Sequence, residues 1–142
     1  MRVFLSCAET DRRWARQLAV HLLKAGIRIV DPFTNSLPGE NWYLAAGQAL
    51  KNADAIVLLL SKALLRSERM KTELDYAYTK PRFRDRCIGV LMRGTKAAAA
   101  PWVLRHLGLL EASGTPSEVG RRLTQRLRQP RKAREIRVHA TS

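Results

Sequence analysis

The run Ala55-Ile56-Val57-Leu58-Leu59-Leu60 restricts what this chain can fold into more than any other segment. Six apolar residues stand in a row between Asp54 and Ser61, with no polar position to face water. Successive strand residues point to opposite faces, so a strand of this kind must be covered on both. Such strands sit at the centre of parallel sheets with helices on either side. The run is far short of the roughly 18 apolar residues that a membrane helix needs. At 142 residues the chain is close to the usual size of one domain.

The remaining segments fit the same architecture. Val3-Phe4-Leu5 reads as a short buried strand, and Ile27 to Val30 as a second. Between them the spacing predicts a helix from about Asp11 to Ala25, with Trp14, Ala15, Leu18, Ala19 and Leu22 on one face. Thr10 or Asp11 serves as its cap, and Gly26 stops it. A loop, 31–41, holds Pro32, Pro38 and Gly39, and a helix follows over roughly Trp42 to Lys51. After the central strand comes a helix from about Ser67 to Thr79, limited by Pro81. Cys87 to Met92 reads as a fourth strand and Leu107 to Leu110 as a fifth, at the edge. The stretch from Lys96 to His106 is ambiguous, because its alanines favour helix and Pro101 breaks it. Thr115-Pro116-Ser117-Glu118 supplies a cap, a proline at the first helical position and a carboxylate three residues after the cap. Val119, Leu123 and Leu127 form the stripe of that last helix. Strands alternating with helices imply right-handed crossovers and helices on both faces of the sheet. Ligands bind such sheets at the carboxyl ends of the strands. Those ends are Ser6-Cys7, Asp31, Ser61 and Met92-Arg93.

Several chemistries lack their signatures. No G-x-G-x-x-G follows the first strand, and no G-x-x-x-x-G-K-[ST] occurs. A phospho-receiver domain needs acids where the first and third strands end in Ser6-Cys7 and Ser61. His21, His106 and His139 are far apart without matching Cys or acid spacing, so no metal is expected. Cys7 and Cys87 fall at opposite edges of the sheet, so they are not expected to bridge. A reducing, cytoplasmic compartment fits them, and the opening residues do not make a signal peptide. Residues 120–142 hold eight Arg or Lys against one acid, half of the net +14. That segment from 130 on reads as a basic tail, or as a linker to further domains of the same protein. Nucleic acid is only weakly suggested, because no aromatic residue follows Trp102 to stack on bases. The excess of Arg over Lys, 19 to 7, points to a GC-rich bacterial source.

Three segments together resemble the TIR family. They are Val3 to Asp11; Gly26 to Asp31 followed by Leu37-Pro38-Gly39-Glu40-Asn41-Trp42; and Ala53 to Ser61 followed by Ser67 to Ala77. The resemblance implies a flavodoxin-like α/β fold, with a five-stranded parallel sheet and helices on both faces, over residues 1–129. It implies one of two functions. Some TIR domains are scaffolds that signal by assembling, and others cleave NAD between nicotinamide and ribose, hydrolysing or cyclising it. The leading expectation is the NAD-cleaving enzyme, an immune or toxic effector, with the non-catalytic scaffold as the alternative.

In the enzyme reading the family's essential glutamate maps onto Glu73. The family often has Trp four residues earlier, where this chain has Arg69. Glu73 lies about 60° around the helix from Met70, on the flank of a stripe formed by Met70, Leu74 and Ala77, from which it is expected to reach a cleft. Alternatively Arg69 and Glu73, four apart, pair on the surface. NAD is the substrate; nicotinamide leaves neutral, so neither a proton donor nor a cofactor is needed, and a carboxylate stabilises the positive charge developing on the ribose. Ser6 and Arg69 can hold hydroxyls or phosphates, and Phe33 and Trp42 can stack on a ring. Cys7 and Asp31 complete the expected substrate-binding edge. The loop 31–41 is the segment through which the family resemblance implies self-association.

Residues 131–142 are too charged to pack. A chain ending at Gln129 should therefore melt within a few degrees of the full-length protein, and a large drop in Tm would mean that the tail docks on the core.

Overall fold

The computed structural model describes residues 1–30, 42–83 and 85–129. Among these, five strands form one parallel sheet in the order β2-β1-β3-β4-β5. The strands are β1 (Arg2–Ser6), β2 (Arg28–Val30), β3 (Ala55–Leu60), β4 (Cys87–Leu91) and β5 (Leu109–Glu111). The helices are α1 (Arg12–Lys24), α2 (Trp42–Asn52), α3 (Lys62–Leu65), α4 (Glu68–Thr79), α5 (Trp102–Leu107) and α6 (Pro116–Arg128).

β3 is the central strand, and all six of its residues are buried. Ile56, Leu58 and Leu60 enter one core with Phe4, Leu64, Met70, Leu74 and Phe83. Ala55, Val57 and Leu59 enter the other with Val3, Leu5, Leu18, Leu22, Val119, Leu123 and Leu127. Each fully buried Val, Leu or Ile contributes about 1.5–3 kcal/mol, so β3 alone anchors both layers. The flavodoxin-like five-stranded sheet expected from the sequence is what forms.

Local chemistry sets most boundaries. Thr115 Oγ1 accepts from the Glu118 N–H at 3.2 Å, with Pro116 opening α6. Ser67 accepts from the Met70 N–H at 3.4 Å and starts α4. The first helix departs from expectation: a 3-10 turn, Glu9–Asp11, precedes α1, and Asp11 stands at the N-cap without a side-chain cap bond. α3 was not foreseen; Ser61, at the end of β3, accepts from the Leu64 N–H at 3.2 Å and opens that single turn. The ambiguous stretch resolves into a 3-10 turn, Ala97–Ala99, and then α5 behind Pro101. The fifth strand begins two residues later than its apolar run, because Leu107 still belongs to α5. The break comes at Gly108, whose φ of 148° favours glycine.

Gly89 leaves room at the middle of β4. A Cβ there would stand 2.8 Å from Leu60 Cδ1, 3.1 Å from Leu109 Cδ2 and 3.4 Å from Leu104 Cδ1. Gly89→Val should overpack this corner and destabilise the fold by about 1–3 kcal/mol. Urea unfolding should give a lower midpoint with an unchanged slope; an unchanged midpoint would mean that the three leucines yield freely.

Candidate functional site

Strand parity delivers one hydroxyl to the helix layer. Val3 and Leu5 pack in the α1 and α6 core, and Phe4 packs on the opposite face with Met70 and Leu74 of α4. Ser6, two residues after Phe4, is therefore turned toward α4. It is only 3% exposed, and a buried hydroxyl needs a partner. The partner is Glu73: Ser6 Oγ donates to Glu73 Oε2 at 2.5 Å, across 67 residues of sequence.

Glu73 does not stand on a flank open to a cleft, as its helical angle suggests. It is 2% exposed and belongs to the buried side of α4 with Met70, Leu74 and Ala77. The sheet end covers a wider arc of the helix than the apolar stripe marks, and Ser6 supplies the polar contact that makes this tolerable. Arg69 lies one turn earlier, with Nε 3.8 Å from Glu73 Oε1. This is not the solvated surface pair that the spacing also allows, because the carboxylate is enclosed. The same guanidinium donates through an NH2 nitrogen to the Cys7 carbonyl at 2.5 Å. Consecutive residues at the carboxyl end of β1 are thus tied to two positions of α4.

Burial raises the Glu73 pKa to about 7, while the Ser6 hydrogen bond and the Arg69 charge pull it down. A carboxyl poised near neutrality is proton-bound at mildly acidic pH and ionised at mildly alkaline pH. Chemically it can serve as a hydrogen-bonded latch, or as a negative charge beside a developing cation if a face of it is uncovered.

The other expected residues divide into three groups. Cys7 is half-buried at the end of β1 and is not disulfide-bonded; Cys87 opens β4 at the opposite edge, and burial pushes its thiol up to about 12. Trp42 begins α2, with its side chain outside the described residues. Asp31, Phe33 and the loop 31–41 lie outside the described residues altogether. The structure therefore brings Ser6, Cys7, Arg69 and Glu73 together. Sequence reasoning missed the Ser6–Glu73 bond, although counting alternate positions from Phe4 points Ser6 at the α4 face. It also missed a cavity of about 520 Å³ beyond the ends of β4 and β5, lined by residues 91–95 and 111–114, Arg93 and Glu111 among them. Among the described residues no cluster of His, Cys, Asp and Glu could hold a metal, and no helix is long and apolar enough to cross a membrane.

No curated protein matches the chain. Solved structures similar in fold include the following two. The TIR domain of the Toll-related receptor TRR-2 from Hydra magnipapillata aligns with a TM-score of 0.66 at 20% identity, over 95% of this chain and 97% of that one. A prokaryotic SEFIR domain aligns with a TM-score of 0.70 at 15% identity, over 92% of this chain and 94% of that one. The family described as the TIR domain matches residues 3–128, a span that reaches from β1 to the end of α6 and includes both Ser6 and Glu73. The chain belongs to the TIR domain family.

Proposed function

We propose that this chain is an assembly module, a TIR domain that works by homotypic contacts, and that Glu73 serves it as a structural clamp. The observation that carries this reading is the enclosure of Glu73. Its carboxylate is 2% exposed, one oxygen accepts from Ser6, and the other faces Arg69. A carboxylate that stabilises a ribose cation needs an open side, and an aromatic platform would help to hold the dinucleotide there. Arg69 stands where the family often has that aromatic, and it is engaged with the β1 end instead. The loop 31–41, with Phe33 and Leu37, is the natural self-contact segment. A receptor TIR domain among the solved relatives accords with a signalling role.

One observation favours a second reading, cleavage of NAD. Glu73 sits beside Ser6 at the carboxyl edge of the sheet, where ligands of this architecture bind. For that chemistry Arg69 must swing aside and Glu73 must be ionised. The bond between C1′ of the ribose and the nicotinamide nitrogen then breaks, its electron pair leaves with nicotinamide, and water adds at C1′ and gives up a proton to the Glu73 carboxylate, which passes it to solvent.

The deciding experiment incubates the full chain with NAD from nanomolar to high micromolar protein, following nicotinamide release alongside sedimentation. The expected result is concentration-dependent assembly with no release. Release that grows faster than linearly with concentration and vanishes in Glu73→Gln would replace this reading with the enzymatic one.

The clamp also predicts a pH effect on stability. The folded carboxyl titrates near 7, against 4.5 for an unburied one. Between those values the folded state keeps a proton that the unfolded state has released. Stability therefore falls as pH rises from about 4.5 to about 7 and is level above, by about 3 kcal/mol in all. Glu73→Gln has no proton to lose there, so its urea midpoint should change less between about pH 5 and pH 8 than that of the parent. Equal changes in both proteins would mean that Glu73 is not the group responsible.

A further inference from the structure

α1 and α6 lie side by side on the sheet face opposite α4. A Cβ built at Gly120 would stand 3.1 Å from His21 Cβ, which measures how closely they pack. Their inward sides are apolar: Ala15, Leu18 and Leu22 on α1, Val119, Leu123 and Leu127 on α6.

Their outward sides combine two features. The first is charge. α1 carries Arg12, Arg13, Arg16 and Lys24 with no acid, and α6 carries Arg121, Arg122, Arg126 and Arg128 against Glu118 alone. Arg122 donates to the Ser113 carbonyl, Arg126 to that of Leu109 and Arg128 to that of Ala25. Those bonds hold the guanidiniums in place without cancelling their charge. The second feature is apolar. Val20 and Leu23 are 52% and 63% exposed. Positions 13, 16, 20, 23 and 24 fall within about 120° of the helix circumference, so the two aliphatic side chains sit among three exposed cations.

The exposed cations on these two helices are Arg13, Arg16, Lys24, Arg121 and Arg128, and a face carrying them calls for an anionic partner. A second copy meeting it face to face would set these cations against their own copies. Between the extended anions, the apolar pair decides. A nucleic-acid backbone offers Val20 and Leu23 nothing, because its contact is carried by charge. The boundary between headgroups and acyl chains takes both: aliphatic side chains enter it, and basic side chains lie over the phosphates.

We propose that the α1–α6 face seats this domain on an anionic membrane surface, with Val20 and Leu23 entering the headgroup boundary and the arginines and Lys24 on lipid phosphates. The contact is peripheral and uses the layer opposite α4, so the Ser6–Arg69–Glu73 cluster does not take part in it.

The test is cosedimentation of the full chain with vesicles of phosphatidylcholine alone or with about 30% phosphatidylserine, at low and high salt. The protein should pellet with the anionic vesicles, much less with the neutral ones, and progressively less as salt rises. Val20→Gln with Leu23→Gln should weaken binding by roughly tenfold, and Arg13→Glu with Arg16→Glu should abolish it. Circular dichroism should be unchanged in both, since all four side chains are exposed. Vesicle binding that neither double variant alters would locate the contact elsewhere, residues 130–142 included, and overturn the proposal. So would duplex DNA bound more tightly than the anionic vesicles by both the parent and the Val20/Leu23 variant.

Discussion

The double-sided burial of β3 is the constraint from which the rest of the molecule follows. With no polar face, the strand cannot lie at an edge or on a surface, so it needs a strand on each side and a helix layer above and below. β1 and β4 flank it, with Phe4 beside Ile56 and Ser6 beside Leu58 on one side, and Ile56 beside Cys87 on the other. That register fixes more than the core. It sets which β1 residues face α4, and so it turns the Ser6 hydroxyl into a layer that is otherwise apolar. The candidate site is a consequence of strand parity before it is a matter of catalytic design.

A hydroxyl and a carboxyl buried together form an all-or-nothing arrangement. Ser6 and Glu73 are the buried polar side chains among the described residues, and they satisfy each other. Removing Glu73 leaves the Ser6 hydroxyl without this partner, and removing Ser6 leaves the Glu73 carboxyl with Arg69 in place of a hydrogen bond, a penalty of about 1–3 kcal/mol. Arg69 joins the same arrangement from the half-exposed side, through Glu73 and through the Cys7 carbonyl. The cluster therefore ties the start of α4 to the end of β1 whatever else it does.

What could be read from the sequence was what local chemistry determines. The β3 run identifies itself, and Thr115-Pro116-Ser117-Glu118 starts α6 where those residue types say it should. Two features were illegible because they depend on long-range contact. A helical wheel shows Glu73 beside the apolar stripe, but only the position of β1 shows how far around the helix the sheet reaches. Likewise Ser61 at a strand end reads as an edge residue until the chain is seen to turn at once into α3. The cap of α1 failed for the opposite reason. Thr10 and Asp11 are good capping types, but the chain forms a 3-10 turn there first and neither side chain is used as a cap. The loop 31–41, through which the family resemblance implies self-association, lies outside the described residues.

The net charge of this protein works against the homotypic contact proposed for it. A net charge of +14 on 142 residues makes copies repel, most strongly at low salt. Homotypic contact therefore needs either a neutral patch or a way to discharge the surface. Half of that charge lies in residues 120–142, and α6 supplies four of its eight cations. An anionic surface under α1 and α6 would neutralise the exposed charge of those two helices while leaving the carboxyl edge and α4 free for other contacts. Confinement to two dimensions would also raise the local concentration of copies. In that arrangement the basic face is not an obstacle to assembly, because the surface that attracts it is also what suppresses the repulsion between neighbours.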